Sequence, residues 1–568
     1  MLNFFTKRKQ NDPLSDPKST THWLNELKVR DAYAAQQEVV QALADFNEQG
    51  DFTSPARLKV LLQTDQGVQP MQAALCRQYL QNPRMSRMIE SRLWNAIQSL
   101  STALAQGYHA FIMGYVAQPN GSKIAAQLPL ITARAVYHTG ISAKWQHFRY
   151  EPISRKTFGA LNNLYRFAEF EEFERSRLKL YDDPDFARET SVADEYLRVM
   201  MLNALHPGGL TPKQIELADQ WLMRWTPLIE VEREYVRDRH VFQVKLDDDR
   251  GARRIRRPAE DAMQRYWATA QLDMRMGEAL HGLRRGEISA KAELSEDCRL
   301  PVCAEFLEYA MLQWGPTGPK RTQRLKERTH TMKMIEVVKN FNDFHQLIRH
   351  DNFKAMRRSD PGKDPGVSYD EMLDVRLYGF VTQRTQDRRH ANREPDEPAK
   401  YESERWIAEN ESESGFGASI AESREDWVGL SKLFALRPER GAQWLIGVVR
   451  RLSKLESAQR YVGMEIICHM PFAVQMRLPG EARTLTVDGI DPVGAHLPTL
   501  ALFLPKARSN RDYDSILLPA GEYARSNNWQ LELQGKVYII ELKGDREKGD
   551  GWVRSAFEVK AKKPANPR

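Results

Sequence analysis

The chain has 568 residues, of which 41% are hydrophobic and 28% are charged, and these shares are typical of globular proteins with several domains. No apolar run approaches the ~18 residues of a membrane-spanning helix, and the chain start lacks the apolar core of a secretory signal. We therefore expect a cytoplasmic protein with no membrane span. The net charge of +7 is small for this length, so it permits anionic ligands without predicting nucleic acid as a partner.

The sequence lacks the patterns that are typical of disulfide frameworks, metal sites and several common classes of enzyme. Cys76, Cys298, Cys303 and Cys468 are too sparse for a disulfide framework, and no histidine accompanies them at zinc spacing. We expect buried, reduced thiols and no metal site. The chain also lacks a nucleophile elbow, a phosphate-binding glycine loop and a dinucleotide fingerprint. No enzyme, no catalytic residue and no cofactor are predicted.

Helical patterns dominate the first half of the chain. Residues 1–20 are polar and aperiodic, which predicts a flexible lead, and residues 21–315 predict an α-helical domain. The clearest stripe runs from Leu93 to Tyr115, where apolar residues recur at steps of three and four. Ser54-Pro55 and Thr211-Pro212 are typical of helix N-termini, with a capping hydroxyl before proline.

One stretch interrupts this helical domain. Residues 241–246 alternate in polarity and lead into the aspartates at 247–249, which predicts a β-hairpin with a solvated turn. The arginines at 253, 254, 256 and 257 follow. Because no aromatic side chains interleave with them, a solvated basic turn is favoured over a nucleic-acid contact.

The pattern becomes strand-like after Gly315–Pro319, which predicts the main domain boundary. Short β-branched and aromatic runs between glycines and prolines favour a small barrel at 320–480. The charged, proline-rich stretch at about 352–403 is typical of a mobile insertion. A small β-rich module is expected at 490–560, before a basic tail of disordered character. The predicted strands are 333–338, 373–381, 406–409, 432–436, 444–450, 461–468, 472–478 and 537–542.

The most informative motif begins at Asn410. Asn410, Ser412 and Gly415 fit the pattern Asn/Asp-x-Ser-x-x-Gly in a turn between strand-like runs. An amide and a hydroxyl can exchange hydrogen bonds with a polar ligand, and glycine permits a positive φ and a close backbone approach. Arg-x-x-x-Arg pairs lie upstream at Arg324/Arg328 and Arg384/Arg388. Arginine binds phosphates and guanine edges in a planar, bidentate manner.

These residues, with RLKER from Arg324 and the strands WLIGVVRRL and YVGMEII, resemble a PilZ domain. That family is a six-stranded antiparallel barrel that binds the second messenger cyclic di-GMP. The resemblance implies that Arg324 and Arg328 grip the nucleotide from the linker, and that Asn410, Ser412 and Gly415 complete the pocket. Arg450 and Arg451, at a strand end, either supply a further phosphate contact through Arg450 or form a surface pair.

The spacing departs from the family pattern, because Arg328 and Asn410 are 82 positions apart. We attribute the excess to the insertion between the first two strands. Without such an insertion, Arg384 and Arg388 are the ligand pair. We prefer Arg324 and Arg328, since a predicted strand follows them directly.

The whole pattern predicts an α+β multidomain protein. An α-helical N-terminal bundle precedes a PilZ-like six-stranded antiparallel barrel and a β-rich C-terminal module, as in large PilZ effectors of gram-negative bacteria. The resemblance implies a non-catalytic cyclic di-GMP receptor that acts on an unidentified protein partner through the helical region. Motility, surface attachment and biofilm control are the processes implied. Two other functions stay open: a nucleic-acid-binding protein, and an interaction scaffold with a degenerate barrel.

Overall fold

The structure is a computed structural model in which the chain divides into two compact units, Met1–Thr322 and Gln323–Arg568. The described residues are 12–82, 85–119, 123–182, 189–258, 261–287, 294, 298–319, 329–359, 401–421, 427–439, 441, 443–455, 459–479, 498–523, 526–533 and 536–564.

The first unit is mainly helical. Its α-helices are α1 (Pro17–Leu27), α2 (Ala32–Glu48), α3 (Pro55–Gln81), α4 (Arg87–Ala117), α5 (Leu128–Phe148), α6 (Arg155–Phe170), α7 (Val192–Ala204), α8 (Pro212–Trp225), α9 (Ala270–Arg284) and α10 (Val302–Trp314). The predicted stripe lies on α4, and its apolar residues from Leu93 to Ile112 are buried. Both predicted caps are confirmed: Ser54 caps α3, and Thr211 forms a capping box with Gln214 at α8.

The N-terminal lead is shorter than the sequence analysis predicts, because α1 already begins at Pro17. The Asp16 side chain accepts hydrogen bonds from the backbone N–H groups of Lys18 and Ser19, which satisfies the free end of the helix. Leu14 is buried as well. The prediction of a flexible lead to residue 20 is therefore wrong from about residue 12 onward, and residues 1–11 lie outside the described part of the chain.

Short strands complete the first unit. They are β1 (Leu178–Lys179), β2 (Glu189–Thr190), β3 (Val231–Glu232), β4 (Phe242–Lys245), β5 (Arg253–Arg254) and β6 (Gln264–Trp267). The predicted hairpin is confirmed as the antiparallel pair β4–β5, which belongs to a four-stranded sheet in the order β3-β6-β4-β5. Arg254 is not a solvated turn residue: it donates hydrogen bonds to the carbonyl oxygens of Gln313 and Gly315.

A buried polar cluster lies among α3, α4 and α5. The carboxylate of Asp65 accepts hydrogen bonds from Tyr108 at 2.6 Å, Arg134 at 3.2 Å and Tyr181 at 3.1 Å, and it lies 3.0 Å from His138. Burial by itself would raise the pKa of Asp65, but the charges of His138 and Arg134 outweigh it and lower the pKa to about 2. The cluster is a satisfied ionic core of the helical unit.

The cysteines differ in part from the prediction. Cys298 and Cys303 form a disulfide, and their Cα atoms are 5.2 Å apart. The prediction of reduced thiols is wrong for this pair, because the two cysteines flank the start of α10 and their Cα atoms are within disulfide range. Cys76 and Cys468 are free, and burial raises the pKa of the Cys468 thiol to about 11.

The second unit holds two closed six-stranded antiparallel barrels. The first consists of β7 (Thr329–Val338), β8 (Ser403–Ser412), β9 (Gly415–Ala421), β10 (Leu433–Pro438), β11 (Leu445–Lys454) and β12 (Gln459–Cys468), in the order β10-β11-β12-β9-β8-β7. Helix α11 (Phe341–Ser359) follows β7. It occupies the start of the stretch that the sequence analysis describes as a mobile insertion. Residues 360–400, including the strand predicted at 373–381, lie outside the described residues.

The second barrel consists of β13 (Phe472–Arg477), β14 (Thr499–Leu504), β15 (Ser515–Pro519), β16 (Asn528–Leu533), β17 (Lys536–Gly549) and β18 (Trp552–Pro564), in the order β13-β14-β15-β18-β17-β16. A short helix, α12 (Ala520–Tyr523), follows β15. The strand expected at 472–478 belongs to this barrel, not to the one predicted at 320–480, because it pairs with β14 and β16. The basic tail is also strand as far as Pro564.

Apolar side chains from both barrels and from α11 form one core. It includes Val338, Ile446, Leu502 and Trp552, together with Phe344 of α11. The Asn352 side chain adds two hydrogen bonds to the start of the second barrel, with the Pro471 carbonyl at 3.2 Å and the Ala473 N–H at 3.0 Å. The two barrels are therefore packed together as one body. In the described parts of both units, no helix is long and apolar enough to span a membrane.

Candidate ligand-binding site

The predicted Asn-Ser-Gly motif is a tight hairpin on the first barrel. Strands β8 and β9 pair so that Ser412 lies opposite Gly415, which leaves Glu413 and Ser414 as a two-residue turn. The carbonyl of Ser414 accepts a hydrogen bond from Ile466 N–H of β12 at 2.9 Å. The turn is thus fixed from both sides by the sheet, as a preorganised binding loop requires.

Gly415 is needed for space rather than for an unusual backbone angle. The sequence analysis expects a positive φ here, but Gly415 is absent from the residues with positive φ among those described. A Cβ atom at this position would instead overlap the backbone carbonyl oxygen of Met464 on β12. The close approach seen here is to a neighbouring strand, and the expectation of a positive φ is wrong, because residues 412 and 415 continue the strand pairing.

Asn410 is held by a residue that the sequence analysis missed. Its Nδ2 donates a hydrogen bond to the hydroxyl of Tyr461 on β12 at 2.9 Å. The tyrosine reaches Asn410 across Gly417, where a Cβ atom would lie 2.6 Å from the Tyr461 Cζ atom. The signal in the sequence is the second glycine of Gly-Phe-Gly, since a strand glycine often marks the close approach of another group.

Ser412 has its hydrogen bond inside the turn. Its hydroxyl donates to the carbonyl oxygen of Gly415 at 3.2 Å, and the Ser414 hydroxyl lies 3.4 Å away. Both contacts are long for bonds between oxygens, and the residue is half-buried. An acceptor atom of a ligand could therefore replace the Gly415 carbonyl as the partner of the Ser412 hydroxyl, with little loss of hydrogen-bond energy.

The hairpin itself is acidic. Glu409, Glu411 and Glu413 lie within it, and Lys333 of β7 forms an ion pair with Glu411. An anionic ligand at this hairpin needs further cations from outside it.

Arg450 is engaged elsewhere. Its Nε donates to Glu465 of β12 at 2.7 Å, and its Nη2 donates to Glu547 of β17 in the second barrel. Glu547 is only 9% exposed. Of the two alternatives that the sequence analysis leaves open for Arg450, this geometry favours an ion-paired residue, although it links two barrels rather than lying on an open surface.

The arginine pairs are the remaining predicted site residues. Arg324 and Arg328, and the alternative pair Arg384 and Arg388, lie outside the described residues. The described part of the chain holds no cluster of three or more histidine, cysteine or carboxylate side chains that could bind a metal ion.

Comparison with known proteins concerns the helical unit. Residues 18–235 match the family model described as "Cyclic-di-GMP receptor FimW, N-terminal domain". This stretch runs from α1 to just beyond β3 and ends before the barrels. No curated protein and no solved structure matches the chain. The helical domain is thus similar to the N-terminal domain of this cyclic-di-GMP receptor family, over less than half of the chain.

Proposed function

We propose that the first barrel holds the cyclic di-GMP site of this receptor, and that the protein binds the nucleotide without catalysis. Arg324 and Arg328 supply the charge, and Asn410, Ser412 and Gly415 supply the polar hairpin. The receptor family of the helical domain supports the ligand, and the strand register of the barrel supports the site.

The observation that carries the site is the pairing of β7 with β8. Thr329 lies opposite Glu411, and His330 lies opposite Asn410. Arg328 directly precedes Thr329 in the sequence. Strand β7 therefore begins beside the Asn410 hairpin, which supports as the ligand pair the two arginines that come just before this strand in the sequence.

The alternative pair lacks such a direct connection to the hairpin. Arg384 and Arg388 precede β8, whose first residue, Ser403, lies opposite Val338. That end of β8 is eight residues from Glu411, or roughly 27 Å along the strand. We therefore keep Arg324 and Arg328 as the ligand pair.

Charge gives the arginines the largest role in binding. Cyclic di-GMP carries two phosphates, and the hairpin that would receive it contains three glutamates. Without compensating guanidinium groups, the ligand would meet repulsion at short range. We expect an affinity of about −8 kcal/mol or better, corresponding to a micromolar or tighter dissociation constant.

Calorimetric titration of the full chain with cyclic di-GMP tests this proposal. We expect Arg328→Ala to abolish detectable binding, Ser412→Ala to weaken it, and Arg384→Ala to leave it unchanged. The matched control is Arg405→Ala, which removes an exposed arginine at the other end of β8. Loss of binding in Arg384→Ala with retention in Arg328→Ala would reassign the pair. Absence of binding by the unmodified chain would reject the proposal.

We further propose that the bound nucleotide changes how the helical domain meets a protein partner in the cytoplasm, in motility, surface attachment or biofilm control. The support is the match of residues 18–235 to a family model described as the N-terminal domain of a cyclic-di-GMP receptor. Hydrogen exchange of the full chain with and without cyclic di-GMP tests the coupling. We expect altered protection in helices of the first unit, and changes confined to the first barrel would contradict it.

A further inference from the structure

Two glycines lie in one cross-strand row on the outer face of the first barrel, beside the hairpin. Asn410 of β8 lies opposite Gly417 of β9, Gly417 lies opposite Gly463 of β12, and Gly463 lies opposite Arg451 of β11. Their neighbours Ala418 and Val462 point into the core and are fully buried. Because side chains alternate between the two faces of a strand, this row lies on the outside of the barrel.

The ring of Tyr461 covers part of this row. Tyr461 leans along β12 so that its ring tip lies over Gly417, while its hydroxyl holds Asn410. A ring over a cross-strand glycine stabilises a sheet by itself. Such a packing role does not account for the cation at the other end of the row.

Arg451 supplies that cation. The side chain is exposed and has no charged partner among the described residues, whereas its neighbour Arg450 is held by two carboxylates. Three strand spacings separate β8 from β11, about 14 Å in all. The row therefore offers an amide at one end, a ring beside the middle and a free guanidinium at the other end, over a width greater than one nucleobase.

Resting on the proposed function, we infer that Tyr461 and Arg451 are contact residues of the cyclic di-GMP site. The Tyr461 ring is the surface on which one guanine stacks, and Arg451 binds a phosphate at the far edge. Stacking of a base on an aromatic ring and pairing of arginine with phosphate are both strong enough to affect affinity. The site thereby extends across four strands instead of ending at the hairpin.

Titration of full-length variants with cyclic di-GMP tests this inference. We expect Arg451→Gln to bind about tenfold more weakly and Arg451→Lys to recover part of the loss, since lysine keeps the charge but not the fork. We expect Tyr461→Leu to lose about tenfold or more, because the stacking surface is gone. Tyr461→Phe keeps the ring and should lose less than Tyr461→Leu. Arg405→Gln is the matched control and should bind like the unmodified chain.

Thermal unfolding of each variant without ligand separates binding from folding. If the unmodified chain binds the nucleotide while the folded Arg451→Gln protein binds equally well, the role of Arg451 is overturned and the proposed function stands. Equal affinity of the folded Tyr461→Leu and unmodified proteins would overturn the stacking role. If the unmodified chain does not bind cyclic di-GMP, the proposed function itself fails.

Discussion

The two barrels have the same strand number, the same antiparallel pairing and one shared core, but some of their polar groups differ in exposure. In the first barrel, Asn410 and Tyr461 are half-buried on the outer face and Arg451 is exposed. In the second barrel, the prominent cation is Arg554, which is 0% exposed. The comparison shows that the architecture does not decide which barrel can hold a ligand.

The partners of Arg554 explain the difference. It donates to Ser515 at 2.9 Å, Asn510 at 2.7 Å and Glu547 at 3.3 Å. Asn510 in turn donates to Glu465 of the first barrel at 2.7 Å. The charge of Arg554 is therefore used to hold the barrels together, whereas Arg451 on the outer face of the first barrel is exposed.

The largest effect should follow from removing this buried cation. We expect Arg554→Met to lower the free energy of unfolding by about 3–5 kcal/mol, because hydroxyl, amide and carboxylate groups lose a buried donor. Urea unfolding of the full chain measures the loss, and hydrogen exchange should place it in β15 and β18. Arg405→Met makes the same change at an exposed site and should cost less than about 0.5 kcal/mol. Equal losses of unfolding free energy in the two variants would show that the hydrogen bonds of Arg554 do not hold the barrels together.

A smaller effect is expected at the hairpin. Gly415→Ala should cost about 1–3 kcal/mol, because the added Cβ would overlap the Met464 carbonyl and force β9 away from β12. Cyclic di-GMP binding should weaken with it. Gly429→Ala is the control in the same barrel, since its Cβ would meet only Lys432 Cγ, at 3.7 Å. A Gly415→Ala protein as stable as Gly429→Ala would contradict the close approach as the reason for glycine.

Local patterns allowed much of this fold to be predicted. The helical stripe from Leu93, the proline caps and most strands of the first barrel depend on side-chain period and turn chemistry, which the sequence carries directly. The Asn410 motif likewise marks a real two-residue turn. These features need no knowledge of distant contacts.

Features that depend on distant pairing could not be predicted. Alternation does not say which sheet a strand joins, so Phe472–Arg477 was expected in the wrong barrel. Tyr461 is 51 positions from the asparagine that it holds. From the sequence, Arg450 can be recognised only as a residue at a strand end. Its contact with Glu547 cannot be predicted, because the two residues are 97 positions apart. Each of these roles is fixed by tertiary contacts rather than by neighbours in the chain.

The smallest expected effect concerns pH and the helix between the barrels. His345 of α11 lies with its Nε2 3.1 Å from the Val474 carbonyl of the second barrel, and burial lowers its pKa below the ordinary 6.5. As the pH falls below 6.5, the His345 side chain is therefore protonated in the unfolded chain before it is protonated in the folded chain. This histidine's contribution to stability is complete above that pH and decreases below it, by at most about 1.4 kcal/mol per pH unit.

Comparison of the unmodified chain with His345→Gln isolates this contribution, because glutamine can still donate to the Val474 carbonyl but does not titrate. Urea unfolding of both proteins between pH 7.5 and 5.5 should show a steeper loss of stability for the unmodified chain. Hydrogen exchange should show that the extra loss affects β13, where α11 meets the second barrel. Identical pH dependence of the two proteins would mean that protonation of His345 does not disturb its contact with the Val474 carbonyl. The contact between the barrels would then depend on the Arg554 network and the shared apolar core.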